Sequence, residues 1–149
     1  MPGSGTIRLY RPDPATTATS VRNGRATFSV RHLTPMRAEI AVVGQVDAFN
    51  GRALGSFVEC HTGTSGQMIL DLRAVDFFGS QGFTALFYIS VYCSRTDVDW
   101  MILGSPPVRR LLAICDPAGE LPLSANYESA TSRLNQLRRR RTRTKVSAG

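Results

Sequence analysis

The chain has 149 residues, 42% of them hydrophobic, which suits one domain with a sizeable core and excludes a collagen-like or wholly disordered polymer. Its formal charge of +7 belongs to the ends. Residues 1–25 hold four arginines against Asp13, and residues 133–149 hold six arginines and Lys145 with no acid, whereas the stretch between has ten acids against seven arginines and is mildly acidic.

No apolar run of secretory-signal length occurs in the first 25 residues, and the longest apolar stretch, Phe83 to Cys93, is too short to span a bilayer. The expected location is therefore the cytoplasm. Cys60, Cys93 and Cys115 form no C-x-x-C pair and leave an odd count, so buried thiols are expected rather than a disulfide framework or a zinc site.

In chain order, residues 1–25 are rich in Gly, Pro, Thr and Arg without an apolar period and read as a flexible leader. Thr27 to Arg31 alternates like an edge strand, Thr34-Pro35 turns, and Arg37 to Val43 reads as its antiparallel partner. Gly44 to Asp47 closes that strand. Apolar positions at 49, 53, 54, 57 and 58 then predict a first helix over Ala48 to Cys60, capped by Asp47.

Gln67 to Leu72 is an apolar run bounded by turn residues, the pattern of a strand buried on both faces. A second helix starts at Ser80 and is apolar almost all round through Cys93, so it is expected to lie between the sheet and further structure or a partner. Val98 to Gly104 reads as a strand. Pro106-Pro107 opens a helix over Val108 to Cys115, Leu121 to Leu123 reads as a short strand, and Asn126 to Leu137 as a last helix. The pattern predicts an α/β fold with a mixed sheet and about four helices, a domain over residues 26–137, and a basic flexible tail over 138–149.

The turn between the central strand and the second helix carries the strongest functional signal. Val75 to Phe78 supply apolar anchoring, Gly79 permits a sharp turn, and Ser80 is expected at the N-cap, accepting a bond from an unpaired helix N–H. A phosphate on Ser80 would be electrostatically welcome there, because the helix dipole and the first free N–H groups favour negative charge.

The element order, with Gly44-Gln45-Val46-Asp47, Leu70-Asp71-Leu72, Val75 to Phe83 and Ser105 to Leu112, resembles a STAS domain, specifically the bacterial anti-sigma factor antagonists. The resemblance runs from about residue 26 to residue 137. It implies a mixed sheet with helices packed on it and a non-catalytic regulator that binds an anti-sigma factor of the serine-kinase type to release a sigma factor. It also implies a phosphoacceptor at Ser80 and a partner surface over Asp47, Phe78, Gly79, Ser80, Gln81, Gly82 and Phe83. Two residues depart from the family turn: Gly79 stands where the family has an acid, and Gln81 where it has a second serine.

Read without the resemblance, Ser80 and Asp47 are helix caps, and Asp71 and Asp76 are turn carboxylates with no His, Lys or metal ligand at recognisable spacing. His32 and His61 both precede Ser80, whereas an elbow serine needs its histidine later in the chain, so no triad is expected. Trp100 reads as core, and the basic tail Arg138 to Lys145 as a solvated end with unspecific phosphate affinity, with anchoring to acidic lipid or nucleic acid as its minority functional reading. No enzyme activity, metal, cofactor or specific nucleic-acid partner is expected. Two alternatives stand beside the regulator. One is a phosphorylation-independent adaptor that pairs with itself or another regulator through helix two, and the other a small-molecule or nucleotide module using Arg109 and Arg110 without a Gly-rich phosphate loop.

Overall fold

The computed structural model describes residues 19–63 and 65–148. Three strands open the fold as an antiparallel meander, β1 (Thr19–Asn23), β2 (Ala26–Thr34) and β3 (Arg37–Val46). Strand alternation turns Ala26, Phe28 and Val30 of β2 and Ile40 and Val42 of β3 into the core. Three crossovers follow, each a helix between parallel strands. They run from β3 through α1 (Gly51–Thr62) to β4 (Gln67–Phe78), through α2 (Ser80–Thr96) to β5 (Asp99–Gly104), and through α3 (Pro106–Cys115) to β6 (Leu123–Ser124). The last helix is α4 (Tyr127–Ala148), and the six strands stand in the sheet in chain order.

Parity along β4 divides the core in two. Met68, Leu70 and Leu72 point to the face covered by α1, α2 and α3, where they meet Leu54, Val58, Leu86, Ile89 and Val108. Ile69 points the other way and, with Leu103, receives Ala130 and Leu134 of α4. Burial on both faces is what the uninterrupted apolar run of β4 predicts, and Trp100 is core.

The leader boundary moves. Residues 19–23 of the expected leader form β1, so β2 is an inner strand, and residues 1–18 lie outside the described residues. A strand at the edge packs on one face only and needs no long apolar period, which is why Thr19 to Asn23 passes as loop in the sequence. The expected end of the last helix at Leu137 is where its apolar contacts end, but the helix continues to Ala148. Arginine is a good helix former, and Arg141 ties the extension to the body through Asp97 (2.9 Å) and Asp99 (2.8 Å). Of the three cysteines only Cys93 is buried, whereas Cys60 and Cys115 are exposed, contrary to expectation. Both lie at helix ends facing away from the sheet, where residue type does not decide burial.

Candidate functional site around Ser80

β3 and β4 finish side by side, with Val46 paired to Phe78, so their two exit turns emerge together at one end of the sheet. The Gly79 N–H donates to the Val46 carbonyl at 3.0 Å and fixes the second turn against the first. In the first turn the Asp47 carboxylate accepts from the Phe49 N–H at 3.0 Å, a local Asx turn, and does not cap α1 as expected. Helix α1 begins three residues later than the periodicity predicts because the turn is organised by Asn50, which is fully buried. Its Oδ1 accepts from the Asp47 N–H (2.9 Å), and its Nδ2 donates to the carbonyls of Asn23 (3.0 Å) and Gln45 (2.9 Å). One amide thus joins the β1–β2 hairpin, the end of β3 and the start of α1.

In the second turn Gly79, not Ser80, is the N-cap residue, with φ −85° and ψ −178°, an extended conformation open to any residue. The backbone at Gly79 therefore does not require glycine where the resemblance has an acid. A Cβ at Gly79 would stand 3.3 Å from the Gln81 Oε1 and 3.4 Å from the Phe77 ring. Ser80 is the first helical residue, exposed, and its hydroxyl makes no hydrogen bond among the described residues, so the expected capping role is absent. At Gly82 the requirement is absolute packing: an added Cβ would lie 2.6 Å from Cε1 and Cζ of Phe78.

The seven residues read as a partner surface therefore separate by exposure. Ser80 and Gln81 are exposed, while Asp47, Gly79 and Phe83 are half-buried. Phe78 and Gly82 are buried and hold the turn from beneath instead of offering contact, because the Phe78 ring fills the space under the first turn of α2. Two aromatics that the sequence reading did not place on this surface are on it. Phe49 is 76% exposed beside the Asp47 turn, and Phe77 is 50% exposed beside Gly79. Two register shifts, between Ala41 and Val43 and between Gly44 and Gln45, flip and then restore the parity of β4, so Val75 and Phe78 turn in while Phe77 turns outward. A bulge of that kind has no signature in an apolar run. Phe49 was legible only as an apolar position of helical phase, and it lies before the helix begins.

The surface continues along α2. Contrary to the expectation of a sandwiched helix, Phe87, Tyr88 and Val91 are 60%, 47% and 41% exposed. A groove of about 480 Å³ runs between α1 and α2, floored by Gly51 and Gly55 and bordered by Arg52, Gln81, Thr84 and Tyr88. The two glycines bring the helices together: a Cβ at Gly51 would meet Gln81 at 2.9 Å, and one at Gly55 would meet the Tyr88 ring at 2.9 Å. The Tyr88 hydroxyl donates to the Glu59 carboxylate, and that bond leads the effects that raise the Tyr88 pKa above its ordinary value.

The other chemistry-bearing residues lie elsewhere. His61 packs its ring on Phe57 at the far end of α1, and His32 stands 3.5 Å from the Ser65 hydroxyl at the end of the sheet opposite Ser80. Asp71 is paired with Arg73 at 2.8 Å on the face that α4 covers. Burial works against its charge, and the hydrogen bonds from Arg73 outweigh burial, so the carboxyl titrates below its usual range. Arg109 spends its guanidinium on the carbonyls of Gly104 (3.0 Å) and Ser124 (2.7 Å), a strut between α3 and β6, which removes it from the nucleotide reading. Among the described residues no group of three or more His, Cys, Asp or Glu is placed to hold a metal ion, and no helix is long and apolar enough to cross a membrane.

A mixed six-stranded sheet with three helices on one face and a fourth on the other defines an α/β domain. The STAS domain family matches residues 32–130, and the chain belongs to that family. No curated protein matches the chain in sequence. Among solved structures it is similar to an anti-sigma factor antagonist from Mycobacterium paratuberculosis, at 19% identity and TM-score 0.63, covering 84% of this chain and 99% of that one. It is also similar to the anti-sigma factor antagonist SpoIIAA in its unphosphorylated form, at 15% identity and TM-score 0.60, over 73% of this chain and 96% of the other. A third likeness is to RsbS of Moorella thermoacetica in a serine-to-glutamate variant, at 17% identity and TM-score 0.59, over 74% and 96%. At these identities the likeness establishes the fold.

Proposed function

We propose that this STAS protein is a non-catalytic cytoplasmic regulator of transcription. In this reading it binds an anti-sigma factor of the serine-kinase type through the surface around Ser80, releases a sigma factor, and loses that binding when Ser80 is phosphorylated. The observation that carries the reading is the state of Ser80. It is an exposed hydroxyl with no hydrogen-bond partner among the described residues, on the first turn of α2, at the end of the sheet where the Asp47 turn also emerges and where Phe49 and Phe77 are exposed. A hydroxyl committed to a cap would be shielded and its modification would cost the helix its cap, whereas this one is free to be modified without disturbing the fold. Phosphate would add about −1.5 to −2 charge at pH 7 to a contact built for a neutral group.

The non-catalytic reading is supported by the separation of Ser80 from both histidines. One further observation favours the adaptor alternative, namely the exposed stripe of Phe87 and Val91 on α2, which suits a partner that never senses Ser80.

The test uses the partner captured from native cytosol and calorimetry with three forms of the protein. Ser80→Asp is expected to weaken binding at least tenfold, equivalent to about 1.4 kcal/mol, and Ser80→Ala to keep the wild-type affinity. Both variants keep their fold, since alanine is a good helix former and aspartate in a first turn is favoured by the helix dipole. Equal affinity of all three forms would refute the switch and leave the adaptor.

A further inference from the structure

The extension of α4 turns a run of arginines, unremarkable as a tail, into an ordered surface. Arg141 faces inward to Asp97 and Asp99, and this fixes which residues face out. Arg138, Arg139 and Arg143, with Asn135 and Thr142, line an open recess of about 680 Å³ along one flank of the helix. None of these three guanidinium groups has an acidic partner among the described residues. Arg37, on β3 behind the recess, is occupied by Gln67 (2.7 Å) and Asn135 (2.7 Å). Burial, and then the charge of Arg138, draw Arg37 below its ordinary pKa. Like charges at Arg139 and Arg143, four residues apart, disfavour the helix they stand on. The flank is thus an arrangement that an anion would relieve.

We infer that this flank of α4 binds the phosphate backbone of duplex DNA, without reading its bases. Spacing favours that partner. Arg138 to Arg143 spans about 7.5 Å of helix axis, and one DNA strand presents its phosphates every 3.4 Å of axis, so three guanidinium groups face about three phosphates. Arginine forks match phosphate oxygens in pairs, and among the described residues the cations of the recess are all arginines. Two other anionic partners fit less well. Among the described residues the recess holds no apolar side chain that would enter a bilayer, and an acidic membrane dilutes its charge among neutral lipids. Among the same residues it holds no aromatic ring on which an unpaired base would stack, which favours a duplex over a single strand. The surface lies on the face of the sheet opposite α1 and α2, so it is separate from Ser80.

The test is fluorescence anisotropy of the full chain with a labelled 20-base-pair duplex across a salt series. Three phosphate contacts predict a slope of log K against log salt of about −2.7, a loss of about 40-fold between 50 and 200 mM. The variant R138A/R139A/R143A is expected to bind at least tenfold more weakly at 50 mM with a slope shallower than −1, while far-UV circular dichroism shows the helix intact. A second variant of equal net charge, R22A/R95A/R110A, removes exposed arginines elsewhere and is expected to bind as the wild type does. Equal weakening by the two variants would overturn the proposal, since it would make net charge and not this flank responsible. Tighter binding to a single strand of the same phosphate count, or to phosphatidylserine vesicles at equal phosphate concentration, would overturn it as well.

Discussion

Gly82→Ala is a substitution for which local and tertiary physics predict opposite signs. Gly82 lies in the first turn of α2, where replacing glycine by alanine normally stabilises a helix by about 1 kcal/mol. Here the new Cβ would stand 2.6 Å from Cε1 and Cζ of Phe78 and 2.8 Å from its Cε2. Carbon atoms pack at about 3.5 Å, so the ring or the helix must yield by nearly an ångström. Phe78 is buried, 5% exposed, and closes the end of β4 against the core, so it has no open space to enter. Overpacking costs about 1–3 kcal/mol, and three contacts under 3.0 Å to a buried ring place this case in the upper part of that range, about 2–3 kcal/mol. Set against the helix gain, the expected loss is about 1–2 kcal/mol, or a fall of roughly 4–8 °C in the unfolding midpoint by differential scanning calorimetry. Phe78→Leu lacks all three of the obstructing ring atoms. The double variant is therefore expected to be more stable than the sum of the two single losses by at least about 0.5 kcal/mol. A Gly82→Ala protein as stable as wild type, or strict additivity in the double variant, would refute the packing argument and show that the helix start shifts freely over Phe78.

Asn50→Ala strips buried partners from the Asp47 N–H and from the carbonyls of Asn23 and Gln45, and is expected to cost about 3 kcal/mol by urea unfolding. It should also weaken partner binding, because the Asp47 turn loses its support. Burial, with Asp99 nearby, pushes the Cys93 thiol up to about 12, so at pH 8 it is almost wholly protonated, while Cys60 and Cys115 are exposed. Alkylation of the native protein followed by mass spectrometry should label Cys60 and Cys115 quickly and Cys93 only on unfolding, and equal rates for all three would contradict the burial. Arg141→Ala should leave the unfolding midpoint nearly unchanged, as an exposed ion pair does, yet speed amide hydrogen exchange over residues 138–148, beyond Leu137, the last apolar contact of the helix among the described residues. Ser80→Asp should leave the affinity for duplex DNA unaltered, since α4 lies on the other face of the sheet.

What was legible in the sequence is what depends on the inside of the protein. The both-face burial of β4, the proline-opened α3 and the core position of Trp100 each follow from periodicity or steric rule, and each stands as read. What was not legible depends on contacts between distant segments or on a break in a period. β1 owes its strand conformation to its ladder to β2, from Thr19 opposite Val30 to Asn23 opposite Ala26. The start of α1 is set by an Asn50 amide whose partners lie 27 and 5 residues away, so Asp47, the better cap by residue type, is drawn into a different turn. Val75 and Phe78, three residues apart, both face the core because register shifts opposite Ala41 to Val43 and opposite Gly44 and Gln45 flip and then restore the parity of β4, and this leaves Phe77 to solvent. The same logic applies to Ser80. The sequence located the hydroxyl at the helix start to within one residue, and that residue changes its chemistry. At the N-cap it would be spent on the backbone, whereas one position later it is free, with the cap role left to a glycine that has no side chain to contribute. A serine held in this way contributes little to the stability of the fold, so under the proposed function its phosphorylation would act on the partner contact rather than on the domain itself.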